Sequence, residues 1–183
     1  MHYGSVGKNL EINLSTGKSH KTAVDTTARE MYLGGRGTNT KLFWDRVPPE
    51  TDPFSPDNLL IFSTGLLIST PVPGANRTSV DTLSPQTNLY SHSLFGGFFG
   101  PELKHAGYDK IIIRGKAEGL VYLWIHNDQV EIRDATHLSG KGALETAACL
   151  KEELDQPEAQ VAAIGLAAEN RVYMATIEHA NSS

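Results

Sequence analysis

The sequence predicts one α+β domain over residues 1–183, with mostly antiparallel strands and few helices. Two observations indicate this fold class. Short runs of β-branched, aromatic or alternating residues recur through most of the chain, which is typical of strands. Only one long segment, in the C-terminal third, carries the apolar stripe of an amphipathic helix. With 39% hydrophobic and 20% charged residues, the composition is that of a globular domain rather than a disordered chain.

The N-terminal part of the chain predicts a hairpin and two helices. Residues 9–24 form two short alternating runs around Gly17, which can supply the positive φ of a turn. A helix follows, capped by Asp25 or a neighbouring threonine, and the sequence GGRG interrupts it. A second helix over residues 38–47 ends before Pro48, because proline lacks a backbone donor and clashes inside a helix. The sequence TDPFSPDN then predicts a loop.

The remaining chain is predicted to be mainly β-structure. Five strands are expected, at residues 58–64, 78–84, 110–115, 120–126 and 129–135. The amphipathic helix covers residues 142–155, and two closing strands at 161–165 and 171–178 flank a turn, GLAAEN. A hairpin followed by a helix occurs at 9–33 and again at 120–155, which makes an internal duplication possible.

One arginine and one glycine pair form the most informative candidate site. Arg77 stands at a predicted strand start, and Gly96-Gly97 opens a predicted short helix. Glycine lets a ligand approach the backbone closely, and helix N-termini attract anions. A guanidinium offers a planar fork for phosphate oxygens. Together these residues predict a cradle for a flat, phosphorylated ligand, provided that the fold brings them together.

Composition also limits the partners and the compartment. The net charge of −5, without a basic stripe, argues against nucleic-acid binding. No apolar run has the length of a membrane span, and the first residues lack the layout of a signal peptide, so we expect no membrane partner and a cytoplasmic protein.

Other reactive residue types show no catalytic pattern. Cys149 lies in the amphipathic helix and is expected to be a buried small hydrophobe, since a lone cysteine cannot hold an iron–sulfur cluster. The seven histidines lack zinc-ligand spacing, and His92 is interpreted as a polar strand residue. The sequence SGKGA, beginning at Ser139, resembles half of a phosphate-binding loop; we interpret it as the entry to the helix, with Ser139 as a cap.

Several motifs in order carry a family resemblance. The sequences LEINLSTGK, LGGRGT and GGFFGPELKHAGYDKIIIRGKAE resemble the N-terminal domain of aldehyde:ferredoxin oxidoreductases. The sequences RVPPE, NRT and SPQT are more similar to the tungsten subunit of benzoyl-coenzyme A reductases in that family. The resemblance implies two β-sheets around a helix and a tungsten bis-pterin cofactor, with tungsten and molybdenum both possible.

The resemblance also implies roles for individual residues. Arg77 falls at the position of an arginine that contacts the pterin, and Gly96 and Gly97 fall at the wall beneath the cofactor. Leu94 replaces an asparagine whose backbone carbonyl binds a bridging magnesium ion, a role that leucine can keep. The remaining candidates are Phe95 beside the glycines, Arg36 in GGRG, and Ser183 at the start of a loop that completes the site.

The resemblance implies a parent enzyme larger than this chain. That enzyme would oxidise an aldehyde with ferredoxin as acceptor or reduce an aromatic acyl-coenzyme A, and its 4Fe-4S cluster and catalytic groups would lie beyond residue 183. We therefore expect a cofactor-binding fragment that is inactive alone and that contacts the remaining domains, or a second copy as a homodimer. Two alternatives are a free-standing scaffold subunit with an apolar interface around Phe95, Phe98 and Phe99 and a nucleotide-binding module.

Overall fold

A computed structural model describes residues 4–179 of the protein. Ten strands are present in this part of the chain: β1 (Lys8–Asn13), β2 (Lys18–Ala23), β3 (Leu59–Thr64), β4 (Thr78–Leu83), β5 (Tyr90–Phe95), β6 (Lys110–Arg114), β7 (Val121–His126), β8 (Gln129–Asp134), β9 (Ala162–Ala163) and β10 (Glu178–His179). Five α-helices accompany them: α1 (Thr26–Tyr32), α2 (Arg36–Arg46), α3 (Phe99–His105), α4 (Ala143–Glu153) and α5 (Leu166–Glu169). A 3₁₀ turn covers Thr136–Leu138.

The largest sheet has six strands in the order β2-β1-β6-β3-β4-β5. Strands β1 and β6 are parallel, and every other neighbouring pair is antiparallel. The predicted α+β class with mostly antiparallel strands and few helices is therefore confirmed. The described residues hold three sheets rather than the two that the resemblance implied, because β7–β8 and β9–β10 pair only with each other.

The six-stranded sheet is covered on both faces. On one face, residues of α2 pack against Leu59, Ile61 and Ile112. On the other face, Leu103 of α3 joins the largest core cluster, and apolar residues of β7 and β8 pack against it. Because side chains alternate along a strand, odd-numbered residues of β3 and β4 face α2 and even-numbered ones face α3. The faces are called the α2 face and the α3 face below.

Most predicted elements are present, but the bounds of β5 were not predicted, although His92 was interpreted as a strand residue. Its sequence, YSHSLF, mixes serine and histidine with apolar residues, and β5 is an edge strand whose side chains are only partly buried. Edge strands need no continuous apolar face, so the hydrophobic pattern that reveals β3 and β6 is weak here. The hairpins predicted around Gly17 and Asn127 are confirmed, and Asp25 caps α1 by accepting a hydrogen bond from Ala28 N–H at 2.9 Å.

The two closing strands were predicted too long. Only Ala162 and Ala163 pair with β10, and the expected turn GLAAEN contains α5. No residue from 161 to 179 is buried, so this segment lacks the apolar contacts that support longer strands. Alanine and leucine in the predicted turn favour a short helix instead. The two hairpin–helix units are both present, but they lie in different sheets, and the duplication stays a prediction.

None of the helices between residues 4 and 179 is both long and apolar enough to cross a membrane.

Candidate functional site

Arg77 and the glycine pair meet at one end of the six-stranded sheet. Strands β4 and β5 are antiparallel, with Thr78 paired to Phe95. Arg77 directly precedes Thr78 and Gly96 directly follows Phe95, so both residues lie at the same end of this pair of strands. The last paired residues, Thr78 and Phe95, are about 5 Å apart in such a ladder, which brings the chain at Arg77 and at Gly96 close together. We call this part of the sheet the glycine end; it also holds the end of β3 and the start of β6.

The glycine pair combines open space with a left-handed turn. A Cβ built on Gly96 would meet no heavy atom within 4 Å, so the backbone here is accessible from outside. Gly97 has a φ of +82°, a conformation that side chains disfavour. Helix α3 begins two residues later, at Phe99, and has seven residues. Its Gly100 is packed so closely that a Cβ would lie 2.6 Å from both Ile68 Cδ1 and Thr78 Oγ1, which seats the helix against β4.

The backbone of Leu94 faces the open edge of the sheet. Ser84 N–H donates to Leu89 C=O at 2.9 Å, which identifies Ser84–Leu89 as a hydrogen-bonded pair. Hydrogen-bonded and non-hydrogen-bonded pairs alternate along an antiparallel ladder. Counting along the register places Leu94, opposite Ser79, in a non-hydrogen-bonded pair. Its C=O therefore points away from β4, toward the edge where no further strand of the six-stranded sheet follows.

Phe95 contributes its ring to the core rather than to an open site. The ring centroid lies 5.5 Å from that of Phe99 and 5.4 Å from that of His179. The ring of Phe95 is thus packed inside the protein, and only its backbone lies beside Gly96. Since His179 ends the described chain, the last described residues lie beside the glycine end. Ser183 lies outside the described residues.

Arg36 lies at the same end of the sheet, on its α2 face. It is the first residue of α2 and is exposed. The helix start is fixed over the glycine end because Lys110, the first residue of β6, donates to Thr38 Oγ1 at 2.6 Å and to Asn39 Oδ1 at 2.5 Å. Arg77 is also exposed, and among residues 4–179 its guanidinium has no hydrogen-bond or ion-pair partner. Two cationic side chains are therefore available at this end.

A buried polar cluster under α2 is the main feature that sequence analysis missed. Asp81 on β4 is fully buried and its carboxylate accepts four hydrogen bonds. The donors are Asn39 Nδ2 at 2.6 Å, Ser79 Oγ at 2.6 Å, Tyr90 OH at 2.5 Å and His92 Nδ1 at 2.8 Å. Asn39 also donates to Ser63 Oγ at 2.7 Å. This cluster ties α2 to β3, β4 and β5 just below the glycine end.

Burial changes the acidity of two members of this cluster. Burial lowers the pKa of Lys110 to about 8, although the charges of Asp81 and Asp109 oppose the change. Burial, followed by the hydrogen bond to Asp81, raises the pKa of Tyr90, while the charge of Arg36 weakly opposes the rise. Both groups thus favour their neutral forms near neutral pH more strongly than free side chains do.

The structure confirms His92 as a polar strand residue and shows that the cap predicted at Ser139 is wrong. Ser79 Oγ and Asp81 both contact the same His92 nitrogen, Nδ1, so these residues do not form a nucleophilic triad, in which the base bonds the two groups through different nitrogens. Ser139 does not cap α4: the N-cap is Gly142, without a side-chain bond. Ser139 Oγ instead donates to Glu169 Oε2 at 2.9 Å. Cys149 is half-buried beside a small apolar cluster.

A comparison with known proteins identifies the family of this chain. The family model of the aldehyde ferredoxin oxidoreductase N-terminal domain matches residues 9–183. The chain belongs to this family, as its motifs predicted.

Two relatives and one solved structure show which members of the family the chain is similar to. The tungsten-containing aldehyde ferredoxin oxidoreductase of Pyrococcus abyssi (strain GE5 / Orsay) is 43% identical over 96% of this chain. A Pyrococcus furiosus protein, "Aliphatic sulfonate oxidoreductase, WOR-like subunit", is 37% identical over 96% of the chain. A solved structure, the active site complex BamBC of benzoyl coenzyme A reductase with 1,5-dienoyl-CoA, contains a chain that is 61% identical over 98% of this chain, with a TM-score of 0.96. This chain spans only 29% of the Pyrococcus abyssi protein and 27% of the BamBC chain.

Proposed function

We propose that this chain is the N-terminal cofactor-binding domain of a tungsten pterin oxidoreductase. The observation that carries the proposal is the pairing of Thr78 with Phe95, which puts Arg77 and an uncovered Gly96 at the same end of β4 and β5 in a chain of this family. The proposal extends to a bis-pterin with a bridging magnesium ion, for which molybdenum could replace tungsten.

The residues at the glycine end fit such a group. An uncovered glycine leaves room for a flat ring system to approach the backbone. The outward carbonyl of Leu94 is a hard oxygen ligand, which suits magnesium. The exposed guanidinium of Arg77 can form a bidentate contact with a phosphate, and Arg36 adds positive charge on the α2 face. When bound, the metal–pterin group supplies two-electron redox chemistry at low potential.

The role of this chain is then to hold one side of the cofactor in place. Arg77 would bind a phosphate group of the cofactor, the glycine backbone would allow close contact, and the Leu94 C=O would be a ligand to the magnesium ion. The packed cluster around Asp81 keeps β4, β5 and α2 in a fixed relation while these contacts form. Cluster cysteines, the substrate channel and the contact with ferredoxin or another electron-transfer partner belong to the remaining domains in this proposal, and the parent enzyme acts in the cytoplasm.

Two reactions are possible for the parent enzyme, and the sequence identities favour the reduction of an aromatic acyl-coenzyme A over the oxidation of an aldehyde. The chain shares 61% identity with the benzoyl coenzyme A reductase structure and 43% with the aldehyde oxidoreductase of Pyrococcus abyssi. Turnover of the full-length enzyme with benzoyl-coenzyme A and with aldehydes tests this choice. Faster turnover of aldehydes would overturn it, without affecting the cofactor proposal.

The cofactor proposal is tested by Arg77→Gln in the full-length enzyme. We expect the tungsten and pterin content per chain to fall at least about tenfold, since hydrogen bonds to charged groups contribute about 1.5–3 kcal/mol each. Arg114→Gln is the matched control, because Arg114 is also exposed but ends β6 at the opposite end of the sheet. Equal tungsten content in the two variants, measured by elemental analysis, would contradict the proposal.

A further inference from the structure

His92 lies next to the proposed cofactor contact but is not explained by it. It stands two residues before Leu94 on β5 and therefore projects from the same face of the sheet. That is the α2 face, because His92 pairs with Asp81 across the ladder. Residues two apart on a strand are separated by about 7 Å, which is within the length of a pterin ring system. His92 is thus close enough to meet a ligand that also reaches Leu94.

The imidazole is held in one orientation. Asp81 Oδ1 lies 2.8 Å from His92 Nδ1, and the carboxylate cannot turn away because Asn39, Ser79 and Tyr90 also bind it. Because a carboxylate oxygen only accepts, its hydrogen bond with His92 assigns a ring hydrogen to Nδ1. Nε2 then carries a lone pair and acts as an acceptor.

Nε2 is not one of the fully buried side-chain atoms that lack a hydrogen-bond partner among residues 4–179. The His92 side chain is 17% exposed, whereas that of Asp81 is 0% exposed. No residue among 4–179 makes a hydrogen bond to Nε2; the contacts of the ring are those at Nδ1. Buried carboxylates that fix an imidazole through Nδ1 are common behind histidines whose Nε2 binds a ligand or a metal. Here the imidazole lies on β5, two residues before Leu94.

We infer that His92 Nε2 accepts a hydrogen bond from an N–H group of the ligand at the glycine end, with Asp81 as the positioning residue. The inference rests on the proposed function, in which that ligand is a pterin, a heterocycle that carries amino and ring N–H donors. His92 would add a directional contact to the ring system, while Arg77 and Leu94 hold the phosphates and the ion.

Two substitutions in the full-length enzyme separate this role from a purely structural one. His92→Asn keeps an amide nitrogen near the position of Nδ1, and hence the bond to Asp81, but removes the acceptor at Nε2. His92→Gln reaches the position of Nε2 with a carboxamide oxygen but loses the bond to Asp81. The readouts are the thermal midpoint of the metal-free protein and the rate of tungsten loss from the loaded protein.

We expect the two readouts to rank the variants in opposite order. H92N should have the higher thermal midpoint but lose tungsten about tenfold faster than the natural protein, the factor expected for one lost hydrogen bond. H92Q should be less stable but retain tungsten longer than H92N. His126→Asn on β7, an exposed histidine, is the control and should change neither readout.

If tungsten retention follows thermal stability, so that H92N retains tungsten longer than H92Q, the inference is overturned and His92 is a structural residue. The same result would follow if neither variant loses tungsten faster. If R77Q retains its tungsten as well, the proposed function fails; if only R77Q loses it, the inference about His92 fails alone.

Discussion

At the scale of single residues, the buried charge of Asp81 organises the candidate site. An isolated carboxylate in a protein interior is unfavourable, and four hydrogen bonds from different elements offset that cost here. The donors are spread from residue 39 to residue 92, so no local sequence motif predicts them. Arg77 was predicted from the chemistry of its guanidinium and the glycines from that of their backbone, whereas the partner of His92 was not predicted because it lies on another strand.

Lys110 gives this cluster a measurable pH dependence. Its pKa is about 8 in the folded chain, against 10.5 for the free side chain. The unfolded chain therefore binds more protons between these values, and the free energy of unfolding rises as the pH increases from about 8. Urea denaturation between pH 7.5 and about 9.5 should show this rise. In Lys110→Met the rise should be absent, and a rise of the same size in that variant would contradict the assignment.

At the scale of elements, the predicted and observed boundaries agree best where the hydrophobic pattern is strong. Strands β3 and β6 supply the core and were both expected. The bounds of β5 were not predicted and the strands after α4 were predicted too long, because β5 lies at a sheet edge and the segment after α4 buries no residue. What forms there depends on a few long-range contacts, and these cannot be read from a local pattern.

One such contact holds the segment from α5 onward. The Glu169 carboxylate accepts hydrogen bonds from Ser139 Oγ at 2.9 Å and from Gly140 N–H at 3.0 Å. This explains the SGKGA sequence, which resembles a phosphate loop but binds a carboxylate of its own chain. The same segment ends at His179, whose ring packs against the rings of Phe95 and Phe99. The contact at Glu169 therefore also restrains the part of the chain that leads to His179.

Glu169→Gln should loosen this segment, because a neutral amide accepts more weakly than a carboxylate. We expect amide hydrogen exchange over residues 161–179 to accelerate about tenfold, the effect of weakening the local structure by roughly 1.4 kcal/mol. Mass spectrometry of exchanged peptides measures this rate. Glu158→Gln, at an exposed glutamate, is the control. Unchanged exchange in E169Q would show that the segment is held by other contacts.

At the scale of the whole molecule, the family was predictable because its motifs are local, whereas the site geometry was not. The β4–β5 register that brings Arg77 and Gly96 to one end of the sheet depends on a strand whose bounds were not predicted. Large apolar side chains are also exposed, including Trp44 at 83% and Leu33 at 70%. In a chain that spans less than a third of its relatives, such residues are candidates for contact with the remaining domains, or with a second copy.

The most direct test of the central claim is an experimental structure of the full-length enzyme with its cofactor bound. We expect a cofactor phosphate within about 3 Å of the Arg77 guanidinium, with the pterin lying over the Gly96 backbone. A cofactor bound at the opposite end of the six-stranded sheet, near Arg114, would contradict it.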